Sequence, residues 1–299
     1  MAGGPRSLAL LARAKLNLAL RVLARESGGY HQIETIFCLI ELADEIEIRV
    51  GGADVVLEVQ APPDELRPPP DLGPNVTNLA YRAAMLLRDH AGVGEGALIR
   101  LVKRVPHGAG LGGGSSDAAA VLRALNALYG SPLSSAQLIR LAATLGSDVP
   151  FFMAGAPLVL AWGRGGRMAA LPPLPARPVL LALSEQRIAT AGAYAALDAL
   201  RREPHEAAAG IMRLCPVRWS DVAADAVNDF EPVVFEQLPQ LAAVRAALQR
   251  SGAFLARLTG SGSAVFGIYD SNDALEVARA DLAPEFTDTR FVATETATL

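Results

Sequence analysis

The sequence is poor in lysine, in cysteine and in long apolar runs. Of its 27 cationic residues only Lys15 and Lys103 are lysines, and its only cysteines are Cys38 and Cys215. Two cysteines cannot form a disulfide framework, so we expect a reducing compartment, the cytoplasm, and packing roles for both thiols. No uninterrupted apolar run is long enough to cross a bilayer, which argues against a membrane protein.

Positive charge is also in short supply. The 27 cationic residues stand against 31 acidic residues, which gives a formal net charge of −4. A nucleic-acid-binding protein normally carries a basic surface, so nucleic acid is not an expected partner. The N-terminal segment has arginines but no acid before Glu26. This composition is open to two interpretations, a transit peptide or a pair of strands, and we favour the strands.

The sequence does contain enough apolar residues for two packed domains. It has 299 residues, of which 51% are hydrophobic, and this length allows two modest cores. The alternation of Ile46, Ile48 and Val50 with charged residues predicts a strand, and residues 98–105 predict another. Apolar periodicity predicts helices at residues 78–90, 115–129 and 135–145, and a hairpin is expected at residues 254–269. Strands and helices mix without strict alternation, which predicts an α+β fold in both halves.

The glycine-rich stretch between Pro106 and Ser116 is the clearest functional signal. It follows a predicted strand and runs into a predicted helix, with Ser115, Ser116 and Asp117 where the helix cap is expected. Glycines let a ligand approach the backbone, and a helix N-terminus offers free amides and the positive end of the helix dipole. The combination favours a phosphate as ligand. A capped helix after a glycine turn is the simpler alternative, but it would need only one serine and one glycine.

Other phosphate-binding patterns fit this stretch less well. No Lys-Ser or Lys-Thr pair follows the glycines, so the loop is not a Walker A motif. Gly108, Gly110 and Gly113 satisfy the G-x-G-x-x-G dinucleotide fingerprint, but no acidic residue occurs between Asp117 and Asp148 to hold a ribose. The H-R-D and D-F-G motifs are both absent, which excludes a protein kinase.

With its neighbours, the stretch PHGAGLGGGSSDAAA resembles the phosphate loop of the GHMP small-molecule kinases. Further stretches resemble one branch of that family closely: AKLNLAL at 14–20, GGYHQIETIF at 28–37, GSDVPFF at 146–152, NDFEP at 228–232 and LTGSGSAVFG at 258–267. The resemblance implies the two-domain GHMP kinase fold with the active site in the interdomain cleft. The N-terminal domain would be residues 1–165, with the phosphate loop and the catalytic aspartate, and the C-terminal domain would be residues 166–299.

The resemblance also implies an activity. Members of this branch transfer the γ-phosphoryl group of ATP, with Mg²⁺, to the 2-hydroxyl of a cytidine-diphosphate-linked methylerythritol, in the non-mevalonate isoprenoid pathway. The expected partner is therefore a small-molecule substrate. Nothing in the sequence indicates the oligomeric state.

Two catalytic residues follow from the resemblance. Asp148, otherwise a turn residue, would be the base that takes the hydroxyl proton. Lys15, otherwise a strand lysine on the solvent face, would keep that carboxylate ionised and offset the charge of the transferring phosphoryl group. The rarity of lysine in this chain supports a specific role for Lys15. Asn17 has the same strand parity as Lys15, so we expect it on the same face, in contact with the substrate.

The remaining assignments concern binding. In the family pattern Tyr30 would stack on the cytidine base and His31 would bond the edge of that base. A second glycine loop on the substrate side would comprise Gly260, Ser261 and Gly262. Ser115 or Ser116 is the candidate ligand of Mg²⁺. The nucleotide is expected on Asn78, Lys103, Pro106, Gly108, Ala109, Gly110, Leu111, Gly112, Gly113, Gly114, Ser115 and Ser116.

Three other functions stay open at this point. A GHMP kinase of the mevalonate or homoserine type is the nearest rival, and the GGYH segment and the triple glycine argue against it. A dinucleotide-dependent oxidoreductase would need the missing ribose acid. A silent nucleotide-binding module is disfavoured because Lys15, Asp148 and both glycine loops are present.

Overall fold

The computed structural model describes residues 6–63, 75–201 and 218–298, so Cys215 and most of the proline-rich segment after residue 60 lie outside the described residues. The described chain begins with two long paired strands, β1 (Ser7–Arg25) and β2 (His31–Val50). The prediction of strands at the N-terminus is confirmed, although the segment forms one strand of 19 residues rather than a pair.

Contacts within the chain divide it into two compact units, each of which takes in separate stretches of sequence. Unit 1 comprises Met1–Ala14, Leu42–His107 and Gly112–Gly155, and unit 2 comprises Lys15–Glu41, Gly108–Leu111 and Ala156–Leu299. Both β1 and β2 therefore contribute residues to both units. The continuous boundary after residue 165 that the sequence indicates stays a prediction.

In unit 1, the C-terminal part of β2 pairs with two further strands. It runs antiparallel to β4 (Ala97–Val102), which pairs in parallel with β3 (Val55–Gln60). Ile46, Ile48 and Val50 are buried while the charged residues between them are exposed, so the predicted alternation is confirmed.

Strand β4 is shorter than the sequence indicates. It ends at Val102, three residues before the end of the predicted strand at residues 98–105. The backbone N–H groups of Arg104 and Val105 donate to the side-chain carboxylate of Asp44 in β2, at 2.6 and 2.8 Å, instead of to the backbone of a neighbouring strand. The chain therefore leaves the sheet before it reaches the glycine-rich stretch.

The helices of unit 1 are α1 (Leu79–Ala91), α2 (Gly113–Leu128), α3 (Ser135–Leu145) and α4 (Val149–Met153). Helix α2 is buried along most of its length and packs against the other three. The three predicted helices of this region are confirmed, with ends that differ from the prediction by no more than two residues.

In unit 2, the N-terminal part of β2 pairs antiparallel with β5 (Leu158–Gly163), and β5 pairs antiparallel with β6 (Arg167–Ala170). A second sheet consists of β7 (Pro178–Ser184), β8 (Leu255–Leu258), β9 (Val265–Ile268) and β10 (Thr289–Glu295). It is antiparallel, with the order β10-β7-β9-β8. Because β8 and β9 are consecutive and antiparallel, the predicted hairpin is confirmed.

The described helices of unit 2 are α5 (Thr190–Leu200), α6 (Trp219–Asp225), α7 (Glu231–Gln237), α8 (Pro239–Arg250) and α9 (Asn272–Glu285). Helices α8 and α9 pack against strands of the second sheet. Phe230, Leu248 and Tyr269 lie in the buried core between these elements. None of the helices in the described ranges is long and apolar enough to cross a membrane. Sheets and helices in both units confirm the α+β class.

Candidate active site

The glycine-rich stretch ends in unit 1 at the first turn of α2. The residue before the helix is Gly112, whose φ of +72° is left-handed, and the helix begins at Gly113. The prediction that Ser115, Ser116 or Asp117 caps this helix is wrong, because all three lie inside it and no described side chain makes a capping bond to its first turn. The first amides of α2 therefore have no intrahelical or side-chain acceptor, which suits an anion.

The middle of the glycine-rich stretch, residues 108–111, belongs to unit 2. Gly110 has a φ of +81°, and a Cβ atom on it would lie 2.1 Å from the carbonyl oxygen of Thr259, so a side chain cannot be accommodated there. The N–H of Ala264 donates to the carbonyl of Ala109 at 3.1 Å. The predicted first and second glycine loops therefore meet directly within this unit.

Lys15 lies at the same place in unit 2. Its side chain is buried, and Nζ donates to Oδ1 of Asn17 and to the carbonyl oxygen of Gly110, both at 2.6 Å. The shared face of Lys15 and Asn17 on β1 is therefore confirmed. The backbone N–H of Lys15 also donates to the carbonyl of Leu111 at 3.0 Å, so strand β1 and the glycine stretch are joined at two points.

The second glycine segment is held against the same lysine. A Cβ atom on Gly260 would lie 3.1 Å from the carbonyl oxygen of Gly110 and 3.5 Å from Nζ of Lys15. The hydroxyl group of Ser261 is 2.9 Å from that of Thr190, and Gly262 donates through its backbone to Thr259 at 3.1 Å. The structure thus brings together Lys15, Asn17, Gly108–Leu111 and residues 260–262.

Three supporting residues of this group were missed by the sequence reasoning. The hydroxyl of Thr259 accepts the backbone N–H of Asn17 at 3.1 Å, and the hydroxyl of Thr35 accepts the Asn17 amide at 2.8 Å. The buried amide of Asn228 donates to the carbonyls of Leu258 and Gly260, at 2.8 and 2.9 Å. Thr35, Thr259 and Asn228 all stand in stretches that carry the family resemblance, which is the one sequence signal that could have found them.

Tyr30 and His31 lie elsewhere in unit 2 and have different surroundings. The Tyr30 ring is 60% exposed, and the Arg164 guanidinium lies 4.3 Å from its centre, held in turn by the Glu26 carboxylate. One face of the ring is thus covered by a cation. The arrangement leaves Tyr30 accessible, as stacking on a base would require.

The His31 side chain is 9% exposed, much less than Tyr30. Its Nε2 atom lies 2.8 Å from Oδ1 of Asp198, and its ring stacks on Tyr194 with the centroids 4.5 Å apart. A ring fixed in this way has one nitrogen committed to Asp198, and only the other, Nδ1, remains to meet a base. The expected contact of His31 with a base edge stays a prediction.

Asp148 and Asn78 lie in unit 1. Asp148 is half-buried at the residue before α4, and its carboxylate is 3.4 Å from the Ser147 hydroxyl group. Asn78 caps α1 through its side chain, which accepts the N–H of Ala80 at 2.9 Å. The capping role explains Asn78 on structural grounds, and its contact with the nucleotide stays a prediction.

Lys103, also in unit 1, is almost completely buried. Its ammonium group forms ion pairs with Asp44 and with Asp117, the latter at 2.9 Å. Burial acts to lower the pKa of Lys103, but the two carboxylates raise it by more, so the group stays charged. The predicted contact of Lys103 with the nucleotide stays a prediction, and the structure gives its ammonium two other partners.

Two family models and a set of curated relatives match the chain. The model of the GHMP kinases N terminal domain matches residues 78–156, and that of the GHMP kinases C terminal domain matches residues 196–285. A curated 4-diphosphocytidyl-2-C-methyl-D-erythritol kinase from Pelotomaculum thermopropionicum is 41% identical over 90% of this chain and 91% of its own length. A relative of the same name from Prosthecochloris aestuarii is 37% identical over 94% of this chain and 95% of its own length.

Two solved structures are similar to this chain, one at 34% and one at 15% sequence identity. A crystal structure of 4-(cytidine 5'-diphospho)-2C-methyl-D-erythritol kinase matches with a TM-score of 0.75 at 34% identity, over 98% of this chain and all of that chain. The L. major mevalonate kinase in complex with R-mevalonate matches with a TM-score of 0.69 at 15% identity, over 97% of this chain and 95% of its own. The second likeness shows a common fold alone.

The fold and the two matched domains first define a class, the ATP-dependent small-molecule kinases. The chain belongs to the GHMP kinases and, within them, to the family of the 4-diphosphocytidyl-2-C-methyl-D-erythritol kinases. The predicted phosphotransferase class is confirmed, and a dinucleotide-dependent oxidoreductase is excluded.

Proposed function

We propose that this kinase transfers the γ-phosphoryl group of ATP to the 2-hydroxyl of 4-diphosphocytidyl-2-C-methyl-D-erythritol, in the non-mevalonate route to isoprenoid precursors. One observation carries the proposal: relatives of this name are 37% and 41% identical to the chain over at least 90% of its length. A mevalonate or homoserine kinase is the second candidate, and solved structures of such enzymes, at 15% identity, support only the fold.

In this proposal the loop of residues 106–116 holds the phosphates of ATP through backbone N–H groups, which Pro106 itself lacks. The first turn of α2 supports the assignment because its amides lack a side-chain cap and lie at the positive end of the helix dipole. Mg²⁺ would neutralise phosphate charge. No group of three or more His, Cys, Asp or Glu in the described ranges could hold a metal. Ser115 is half-buried and Ser116 is buried, so Ser115 is the better protein ligand of the two.

Lys15 would stabilise the negative charge of the transferring phosphoryl group. Its ammonium is fixed by two neutral oxygen atoms, those of Asn17 and Gly110, so its position is set before any ligand arrives. A cation held in a buried position stabilises developing charge more strongly than a mobile cation in water does. Asn17, which is bonded to Lys15, Thr35 and Thr259, would keep this geometry and contact the substrate.

Asp148 would accept the proton of the attacking hydroxyl group. It is half-buried and stands at the start of α4, so its backbone position is fixed by a helix. We expect Asp148→Asn to fold normally and to lose roughly 10²–10⁴-fold in kcat, because the amide cannot take a proton. Ser147→Ala removes the neighbouring hydroxyl group and is the matched control, with turnover close to wild type. An Asp148→Asn enzyme with unreduced turnover would disprove this role.

Tyr30 and His31 would recognise the cytidine group. Exposure of the Tyr30 ring, with Arg164 behind it, supports stacking on a base, and the Asp198 contact fixes the orientation of the His31 ring. Gly260, Ser261 and Gly262 would meet the methylerythritol side, since they lie beside Lys15. Asn78 would contact the adenosine part of ATP.

The test is the release of ADP by the purified protein with ATP, Mg²⁺ and the cytidylyl substrate. Mevalonate and homoserine, each supplied in place of that substrate, are the comparisons. Turnover with the cytidylyl substrate alone is the expected result. Turnover only with another alcohol would keep the kinase and reject the proposed substrate.

A further inference from the structure

A buried cluster of three ionisable residues lies in unit 1 beneath the two ends of the glycine-rich stretch. Asp44 is completely buried, Asp117 is 2% exposed and Lys103 is 7% exposed. Lys103 pairs with both carboxylates. A buried ion cluster is weak evidence for stability, because apolar residues of similar volume often stabilise a fold equally well. Its location is therefore the informative feature.

The cluster first fixes the segment that enters the glycine-rich stretch. Oδ1 of Asp44 accepts the N–H groups of Arg104 and Val105, at 2.6 and 2.8 Å, and its other oxygen pairs with Lys103. These are the last residues before Pro106. One carboxylate thus sets the direction in which the chain leaves β4.

The cluster also fixes the segment that leaves the stretch. Nζ of Lys103 donates to Oδ2 of Asp117, in the second turn of α2, at 2.9 Å. A Cβ atom on Gly113 would lie 2.9 Å from Cγ1 of Val105 and 3.2 Å from Nζ of Lys103, so the first helical residue rests directly on the entering segment. The two ends are therefore held together by one lysine and by close packing.

We propose that Asp44, Lys103 and Asp117 are positioning residues for the phosphate loop, which tie its entering and leaving segments together and thereby set the affinity for ATP. The proposal rests on the proposed function, in which this loop holds the phosphates of ATP. Lys103 acts through the loop backbone and does not touch the phosphates with its ammonium group, which two carboxylates occupy.

The test compares three variants by calorimetric binding of ATP with Mg²⁺ and by steady-state kinetics. Asp117→Ala cuts the link to α2 but leaves Lys103 and Asp44 as a balanced pair. Asp117→Asn keeps an oxygen that can accept the Lys103 N–H. Asn126→Ala is the matched control, because Asn126 is a buried polar residue near the other end of α2, where it bonds both backbone groups of Leu133 at 3.0 Å.

We expect Asp117→Ala to raise the Kd and the KM for ATP about tenfold or more, with the KM for the alcohol substrate unchanged. Asp117→Asn should stay within about threefold of wild type, and Asn126→Ala should lower Tm without changing ATP affinity. Wild-type ATP affinity in Asp117→Ala would overturn the proposal, and so would an equal loss of affinity in Asn126→Ala. If Asp117→Ala does not fold, Asp117→Ser, whose hydroxyl is too short to reach the ammonium, is measured against the same criteria.

The same experiment separates the two proposals. A wild-type chain that binds ATP without phosphorylating the cytidylyl substrate overturns the proposed substrate alone, and the binding data still decide on the cluster. A wild-type chain that does not bind ATP overturns both.

Discussion

Lys15 is the residue on which most of the proposed chemistry depends. In a chain with 25 arginines, a lysine stands where the cation must fit between Asn17, the Gly110 carbonyl and the bare backbone of Gly260. An ammonium group is compact and can bond to oxygens in several directions, whereas a guanidinium group is planar and larger. The surroundings of this residue therefore select lysine by size as well as by charge.

We expect Lys15→Arg to lose at least about 100-fold in kcat although the charge is kept, because the guanidinium cannot occupy the ammonium position without moving Gly110. Lys15→Met, which removes the charge, should lose as much or more. The measurement is kcat for both variants, with circular dichroism to confirm the fold. Turnover in Lys15→Arg within a few fold of wild type would show that charge alone suffices at this position.

Gly110 is a second residue whose identity is dictated by its contacts. A Cβ atom there would lie 2.1 Å from the Thr259 carbonyl oxygen, at a φ of +81°. Gly130 offers a matched control with the same φ of +81° and nothing within 4 Å of its Cβ position. We expect Gly130→Ala to cost only the backbone strain, about 1 kcal/mol, and Gly110→Ala to cost several kcal/mol and to abolish turnover. Urea denaturation of both variants checks this, and equal losses in the two would contradict it.

At the scale of elements, the sequence was most informative where the signal is local. Apolar periodicity located α1, α2 and α3 to within two residues, since their apolar faces are buried as the pattern requires. The local pattern failed at the end of β4, because Asp44 ends that strand from about 60 residues away. The cap of α2 was also misassigned, since Gly112 precedes the helix and the expected serines lie inside it.

The candidate site was likewise predictable only where the sequence signal is local. The parity of β1 was enough to place Lys15 and Asn17 on one face. The roles of Thr259 and Asn228 depend on contacts with residues about 240 and 30 positions away, and no local pattern contains such information. The buried partners of Lys103 were missed for the same reason, since no motif around Asp44 in the sequence identifies it as a partner of Lys103.

Because of the buried cluster at α2, we expect the free energy of unfolding to depend on pH. Burial is the main cause that raises the pKa of Asp117 from 3.8 to about 8, with Lys103 opposing the rise and Asp44 adding to it. Between these two values the folded state binds a proton that the unfolded chain has lost. The contribution of Asp117 to the free energy of unfolding therefore falls as pH rises, by at most roughly 1.4 kcal/mol per pH unit, and levels off above pH 8.

We expect Asp117→Asn, which cannot titrate, to lack this pH-dependent contribution to the free energy of unfolding. Urea denaturation at intervals from pH 5 to pH 9 gives the free energy of unfolding for wild type and variant. The difference, wild type minus variant, should fall steadily up to about pH 8 and then stay constant. A difference that does not change with pH would mean that Asp117 is ionised throughout this range and that the cluster carries a net negative charge.

At the scale of the whole molecule, the two units are built from alternating stretches of one chain. Residues 108–111 belong to unit 2 while the segments on either side of them belong to unit 1. Because ATP would bind only the folded chain, binding should stabilise the whole molecule by mass action.

Cys38 offers a direct measurement of that linkage. Its thiol is 3% exposed in β2, and burial raises its pKa to about 12, so in the folded protein it is neither accessible nor ionised near neutral pH. In a Cys215→Ser background, we expect a thiol reagent at pH 8 to label Cys38 at least about 10³-fold more slowly than the urea-unfolded chain. ATP and Mg²⁺ at about 100 times Kd should slow labelling by up to a further 100-fold, if the thiol is exposed only by global unfolding. Fast labelling that ATP does not change would mean that β2 opens locally around Cys38, without release of the nucleotide.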